Sequence, residues 1–508
     1  MFVRPTAQSF WTTPSTFWGF RPATLNGIGA ASDSPDGDLV EKGAAAEILR
    51  NSFAASQAGR NLLTCVNGCS PTGLANTPFN ISTLSPASAA WQAAFGATNS
   101  SYVSSLDAAS GRSAELRDII NWVRGQDNAE DENANGTRTD ARASIHGDVL
   151  HSKPAVINYN RSGGNNDVYA FYGANDGVFH AVHVGQGSGA GTEVWGIVFP
   201  QFFAQLKRLR DNNPQISGSA KKPYFVDGSV GIYQLDANND GKLVATDGDK
   251  VHLYLTMRRG GPYLIALDVS DPSTPQLLWQ RDAGSPGYGA LGQTWSTPKV
   301  VKIRGNANPV LVMGAGYDAA NEDNLPATND RSGRGILVID AITGEVLWQA
   351  GPSPAGASFN VAVAGMVRSM ASDPAILDRN LDGFADRVYI PDTGGNVWRV
   401  DIADASPANW TVELLASIAG SAPSGLRKFL YPPDVVYGRD GNGPYDAVLI
   451  GSGDREHPFD TTATNRFYMF KDRQTGNSGV GQPTITEADL YDATSNALQA
   501  SPSSPGPN

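Results

Sequence analysis

The chain has 508 residues, a formal charge of −12, 56 glycines, 32 prolines and 9% aromatic residues. That length buries a large core, and so much glycine and proline points to many short strands and turns rather than helical bundles. The negative charge repels phosphate backbones and argues against nucleic acid as a partner, while suiting cations.

The first twenty residues, MFVRPTAQSFWTTPSTFWGF, lack the basic-then-apolar layout of a signal peptide, and no later run reaches transmembrane length. The expectation is a chain that starts downstream of its export signal rather than a cytoplasmic protein. Apolar residues recur at helical spacing in DLVEKGAAAEILRNSF (Leu39, Ala44, Ala46, Ile48, Leu49) and in AELRDIINWVRGQ (Leu116, Ile119, Ile120, Val123). Between them, TCVNGCS sets Cys65 and Cys69 around an Asn-Gly turn, which allows either a small disulfide loop or two reduced thiols. Two thiols are too few for a structural zinc. The acidic DNAEDENANGTRTD (127–140) reads as an exposed linker. Residues 1–145 are therefore expected to form a partly helical N-terminal segment with its linker, 146–484 a β-domain, and 485–508, which end in SNALQASPSSPGPN, a disordered tail.

From about residue 146 a unit recurs. A Ser-x-Pro-type opening leads into a short strand in HSKPAVINY, STPKVVKI and SDPAIL, and more loosely in YPPDVVY. A second strand ends in glycine (DVYAFYGANDG, HLYLTMRRGG, VLVMGAGYD, RVYIPDTGG, AVLIGSGD), and a third runs into a turn (VFHAVHV, YLIALDVSDPSTPQLLW, GILVIDAITGEVLW, NVWRVDIADASPANW, RFYMFKDRQTG). In NVWRVDI, Trp398, Val400 and Ile402 share one face, Arg399 and Asp401 the other. Trp195, Trp279, Trp348 and Trp410 follow the third strand, suited to packing between neighbouring sheets. One such sheet cannot cover its own apolar face, and a ring of sheets leaves no long edge exposed. The fold expected is an all-β β-propeller with irregular blades, five of them legible and seven expected, against a two-sheet sandwich as the alternative.

DRNLDGFAD (378–386) looks like half of an EF-hand loop. Asp378, Asn380, Asp382 and Asp386 stand at places one, three, five and nine. Gly383 occupies the sixth place, and the seventh offers the Phe384 carbonyl. Calcium takes six to eight oxygens at flexible angles, and three carboxylates this close repel unless a cation lies between them. The alternative is a metal-free cluster of Asx turns. A poorer candidate is DANNDGKLVATD, with Asp236, Asn238 and Asp240 in register and Asp247 at the twelfth place, equally readable as a hairpin turn. His180 and His183 are an odd number apart, so they project from opposite faces of a strand and do not jointly hold zinc; each reads as a satisfied or exposed strand histidine. No G-x-S-x-G, H-E-x-x-H or P-loop is present.

Taken together, GDVLHSKPAV, YGANDGVFHAV, YLIALDVSDPSTPQLLW, LGQTWSTPKVVKI, GAGYD, DRNLDGFADRVYIPDTGGNVWRVDI and VLIGSGD resemble, in order over about residues 145–475, the C-terminal propeller of the PilC/PilY-type type IV pilus biogenesis factors and tip adhesins. The resemblance implies a calcium-binding, non-enzymatic module that controls pilus extension against retraction and takes part in surface attachment. Its implied ligands are Asp378, Asn380, Asp382, Asp386 and the Phe384 carbonyl. Implied partners are pilin and minor pilin-like proteins, with host or abiotic surfaces beyond them, and the implied location is extracellular, at the pilus tip or outer membrane. Asn380 stands where the family commonly has Asp, and there is no Arg-Gly-Asp tripeptide. The family's export signal and large N-terminal adhesive domain are missing, so a C-terminal portion of a longer protein is expected. The alternative function is a periplasmic quinoprotein-type oxidoreductase, since DAITGEVLW (340–348) resembles the tryptophan-docking repeat of those propellers. Their adjacent Cys-Cys pair has no counterpart in Cys65 and Cys69.

Overall fold

The computed structural model of the chain describes residues 11, 44–66, 74, 77–129, 135–142, 144–162, 167–185, 187–325, 328–352, 360–474 and 482–494. Two compact units are formed, Met1–Leu255 with Ile265–Trp279, and Thr256–Leu264 with Gln280–Asn508. No helix among the described residues is long and apolar enough to cross a membrane.

In the first unit, α1 (Ala44–Ser52), α2 (Ala89–Ala94) and α3 (Gly111–Arg124) precede the main run of strands. The apolar stripe expected in α3 faces inward, with Leu116, Ile119, Ile120 and Val123 all buried. Between α1 and α2 the chain gives a strand to the first sheet. β1 (Leu62–Thr64) lies parallel to β5 (Glu193–Val198), in the order β1-β5-β4-β3-β2 with β2 (Ala155–Asn158), β3 (Val168–Gly173) and β4 (Phe179–Val184). An edge that would otherwise stay open is thereby covered. The acidic stretch read as an exposed linker is tied at its base: the Asp127 N–H donates to the Asp140 carbonyl at 3.0 Å and the Arg142 N–H to that of Gly125 at 2.9 Å. Asp127 and Asn128 are buried there. Cys65 is disulfide-bonded, and Cys69, the other cysteine of the sequence, lies outside the described residues.

Four more sheets follow, each strand beside the next in sequence. They are β6 (Val230–Leu235) to β9 (Gln276–Asp282) through β7 (Lys250–Thr256) and β8 (Tyr263–Asp268), then β10 (Lys299–Val301), β11 (Val310–Gly314), β12 (Ile336–Asp340), β13 (Val346–Gly351) and β14 (Val361–Ala362). The last two are β15 (Ala375–Leu377), β16 (Arg387–Pro391), β17 (Asn396–Asp401) and β18 (Thr411–Ser417), and β19 (Asp434–Asp440), β20 (Gly443–Gly451) and β21 (Phe467–Asp472). Each of the five legible repeats is thus one sheet.

The repeated motif has a physical basis. The hydroxyl of the opening serine accepts the N–H of the glycine that ends the second strand, Gly173 to Ser152 and Gly314 to Ser296, each at 3.0 Å. At both glycines a carbonyl from the segment leading to the next sheet comes so close that a Cβ would lie 1.8 Å from the Val226 oxygen or 2.1 Å from that of Met370. Only glycine permits this approach. In the fourth sheet the second strand ends in Pro391, which has no N–H to give, and Ser372 bonds its neighbour's carbonyl instead.

β17 shows how sheets stack. Trp398, Val400 and Ile402 pack in one apolar cluster with Val312, Val338 and Trp348 of the preceding sheet. Trp348 and Trp410 meet edge-on at 5.4 Å within it. On the opposite face, Arg387 and Arg399 reach Asp401 at 2.6 and 3.1 Å, and go on to Asp446 and Asp472 of the last sheet at 3.2 and 3.1 Å. All five are buried, and each charge has an opposite partner, which is the condition for such burial. The tail expected to be disordered from residue 485 is held at its start. Ile485 donates to the Leu415 carbonyl and accepts from the Ser417 N–H, both at 2.9 Å, while 495–508 lie outside the described residues.

Candidate metal-binding loops

The loop 378–386 joins β15 to β16, the first hairpin of its sheet. The Asp378 carboxylate accepts the N–H groups of Asp382 at 3.1 Å and Gly383 at 2.7 Å. Asn380 Oδ1 accepts the Asp382 N–H at 3.2 Å, and Asp382 Oδ1 accepts that of Phe384 at 3.0 Å. The winding needs positive φ at two places, 60° at Leu381 and 89° at Gly383. Asp386, the last residue before β16, is buried and accepts the Arg379 N–H at 2.8 Å, which draws the end of the loop back to its start. The carboxylates of Asp378 and Asp382 stay at the surface side, and no donor among the described residues reaches the Phe384 carbonyl.

The loop 236–249, between β6 and β7, repeats this winding bond for bond. Asp236 accepts from Asp240 at 3.3 Å and Gly241 at 2.8 Å, Asn238 from Asp240 at 3.0 Å, and Asp240 from Lys242 at 2.9 Å, with positive φ at Asn239 and Gly241. Asp247, read at the twelfth place, is exposed in a short turn, and its carboxylate bonds the Thr246 hydroxyl at 3.4 Å. The residue matching Asp386 is instead Asp249. It too is buried, immediately precedes the second strand, and accepts the N–H of the loop's second residue, Ala237, at 2.8 Å. EF-hand spacing misses it because five extra residues intervene. Its place just before β7 was the available signal.

A second feature escapes sequence spacing altogether. Arg304, from the β10–β11 connection, places its guanidinium against Asp382 and Asp386, 2.7 Å from the latter, and donates to the Ala403 carbonyl at 2.9 Å. Burial alone would raise the Asp382 carboxyl; the Arg304 and Phe384 donors outweigh it and hold the carboxyl below its usual range. A fixed cation thus offsets part of the charge that the spacing assigned to a metal. The donor set still fits calcium: every donor is an oxygen, they alternate along the loop, and Arg304, whose guanidinium lies 5.7 Å from the Phe384 ring, hydrogen-bonds Asp382, Asp386 and the Ala403 carbonyl rather than Asp378 or the Phe384 carbonyl. The 236–242 loop has the same three oxygen-bearing side chains, with no arginine bonded to them among the described residues, but Val244 at its ninth place offers no side-chain oxygen.

The one group of three His, Cys, Asp or Glu side chains among the described residues whose ligand atoms lie within 4.8 Å of one another is elsewhere: His146, Asp176 and His180. The sequence reading paired His180 only with His183, and those two do lie apart on β4. Folding brings in His146, which precedes the first strand of its sheet.

Sheets built as sequential meanders, with the fourth packed on both faces and the second and fourth carrying oxygen-lined loops in their first hairpins, define a β-propeller. Residues 157–419, a little over half of the chain, match the family model described as the PilY1 beta-propeller domain, and the chain belongs to that family. It is 25% identical over 413 residues to the type IV pilus biogenesis factor PilY1 of Pseudomonas aeruginosa (strain UCBPP-PA14), covering 72% of this chain and 32% of that protein. A PilY1 homolog of Xylella fastidiosa (strain Temecula1 / ATCC 700964) is 28% identical over 305 residues, 56% of this chain and 21% of that one. The crystal structure of the Pseudomonas aeruginosa PilY1 C-terminal domain aligns with a TM-score of 0.46 at 22% identity, over 64% of this chain and 61% of that one. The chain spans about a third or less of the length of these curated relatives.

Proposed function

We propose that the chain is the calcium-binding, non-enzymatic β-propeller module of a type IV pilus biogenesis factor, acting outside the cell at the pilus to set extension against retraction and to support surface attachment, with pilin and minor pilin-like proteins as partners. The observation that carries this reading is the all-oxygen donor set of Asp378, Asn380, Asp382, Asp386 and the Phe384 carbonyl on a propeller of the PilY1 family. Bound calcium would supply two positive charges to three carboxylates. The chain's own part is to present them: Asp386 ties the loop back on Arg379, and Gly383 allows the turn. Without the bidentate glutamate of an EF-hand, affinity belongs at the weaker end of such sites, roughly 10⁻⁶ to 10⁻³ M, which extracellular calcium would still fill.

The test is Asp382→Ala introduced into the pilus-bearing parent cell. The expected outcome is altered piliation or twitching with normal amounts of the protein. Pili that assemble and retract as in wild type would overturn the regulatory role even if the metal binds.

A further inference from the structure

We propose that His146, His180 and Asp176 form a second, separate metal site, for a divalent first-row transition ion of the zinc class. Three turns and strands deliver the side chains: His146 from the approach to β2, Asp176 from the tight β3–β4 turn, and His180 from the second position of β4. Asp176 and His180 are buried and His146 half-buried. The two imidazoles lie face to face, 4.5 Å apart and within 18° of parallel.

The hydrogen bonds around them argue for a metal as much as the convergence does. His146 Nδ1 is 2.7 Å from the Gly147 carbonyl, which only accepts, so Nδ1 carries the proton and the Nε2 lone pair remains, now taking the Tyr172 hydroxyl at 2.9 Å. His180 Nδ1 is 2.7 Å from Glu193, which a buried Arg60 grips through two bonds of 2.7 and 2.9 Å. A histidine whose Nδ1–H is fixed by a carbonyl or carboxylate, leaving Nε2 to coordinate, has the outer-shell arrangement of metal-binding histidines. Asp176 is oriented in turn by the N–H groups of Gly147 at 3.0 Å and Val178 at 2.9 Å. Its Oδ2 lies 3.2 Å from His180 Nε2. The ion enters where that N–H···O bond now runs, and the Nε2 proton leaves to solvent, so one proton is exchanged for one divalent cation. Two imidazole nitrogens and one carboxylate select zinc, cobalt(II) or iron(II) over calcium, and leave a further position for water or the Tyr172 hydroxyl.

The site shares no residue with the 378–386 loop, so the two can fail independently. Cobalt(II) and zinc are titrated into the intact chain with calcium saturating. The expected result is one equivalent of tightly bound zinc, a visible cobalt band on titration, and a zinc-edge absorption spectrum that fits two imidazoles. His146→Gln, which leaves the Arg60–Glu193–His180–Asp176 chain of charges intact, should weaken binding on the order of 100-fold, while Asp382→Asn changes nothing. No stoichiometric uptake by the wild type, a zinc edge without imidazole, or unchanged binding in a folded His146→Gln would overturn the proposal, leaving His180 as a structural ion-pair residue. The absorption spectrum decides the matter on wild type alone should the variant misfold.

Discussion

Arg304 changes how the 378–386 loop is understood. Close carboxylates need a cation, and the fold supplies one from 78 residues away from Asp382, in contact with two of the three. Calcium bound here would share these oxygens with a tethered guanidinium, which would lower its apparent affinity. Arg304→Gln is expected to bind calcium about tenfold more tightly in calorimetry, a Coulomb effect of about 1.4 kcal/mol; equal or weaker binding would show that Arg304 helps to build the loop. Local alternation of oxygen donors was legible in the sequence because it needs no tertiary knowledge. Arg304 and His146 were not, because each reaches its place only through strand pairing, and Asp249 was hidden by the five extra residues in its loop. A separate pH effect belongs to Asp330, whose carboxyl is pushed up to about 7 by burial and then by the Glu322 carboxylate, despite Asn321, the Ser369 N–H and Arg368 around it. Glu322 itself is held by Arg368 at 2.6 Å and Lys428 at 2.8 Å. A pKa raised by folding stabilises the fold when the group is protonated, below about pH 4, and that contribution is lost as pH rises through about 7. Asp330→Asn should therefore gain stability relative to wild type across that window, by up to roughly 4 kcal/mol, in urea unfolding at stepped pH. A difference that stays flat from pH 4 to 8 would refute the assignment.

At the scale of elements, the Ser-x-Pro, glycine and tryptophan order was readable because, in the first and third sheets, each residue solves the same problem. The serine hydroxyl satisfies an N–H that the ladder leaves over, the glycine admits the next segment's carbonyl, and the tryptophan fills the space between sheets. What sequence reading missed lacks that signature. β6 has no Ser-x-Pro opening and is largely exposed, and β1 is three residues long with a parallel partner far along the chain. Gly314→Ala should destabilise by about 3 kcal/mol or more, since its Cβ meets backbone rather than a flexible side chain. Ser296→Ala should cost about 1–3 kcal/mol through the orphaned Gly314 N–H, and Ser372→Ala less, because no N–H depends on it. Shifts in the urea midpoint measure all three, and equal costs for Ser296 and Ser372 would contradict the account.

For the whole molecule, the propeller class could be read from the repeat alone, since sheets of one design must stack to bury their faces. The formal charge of −12 suggested cations as partners, and the fold divides the carboxylates between buried pairs and the surface. Asp401 and Asp446 are held in buried pairs with Arg387, whereas Asp240 and Asp382 of the hairpin loops are exposed. The most direct test is calcium titration calorimetry of the intact chain beside Asp382→Ala. Wild-type protein is expected to bind calcium between about 10⁻⁶ and 10⁻³ M, with binding lost or severely weakened in the variant. Wild-type protein that takes up no calcium, or a folded variant that binds it as well, would contradict that expectation.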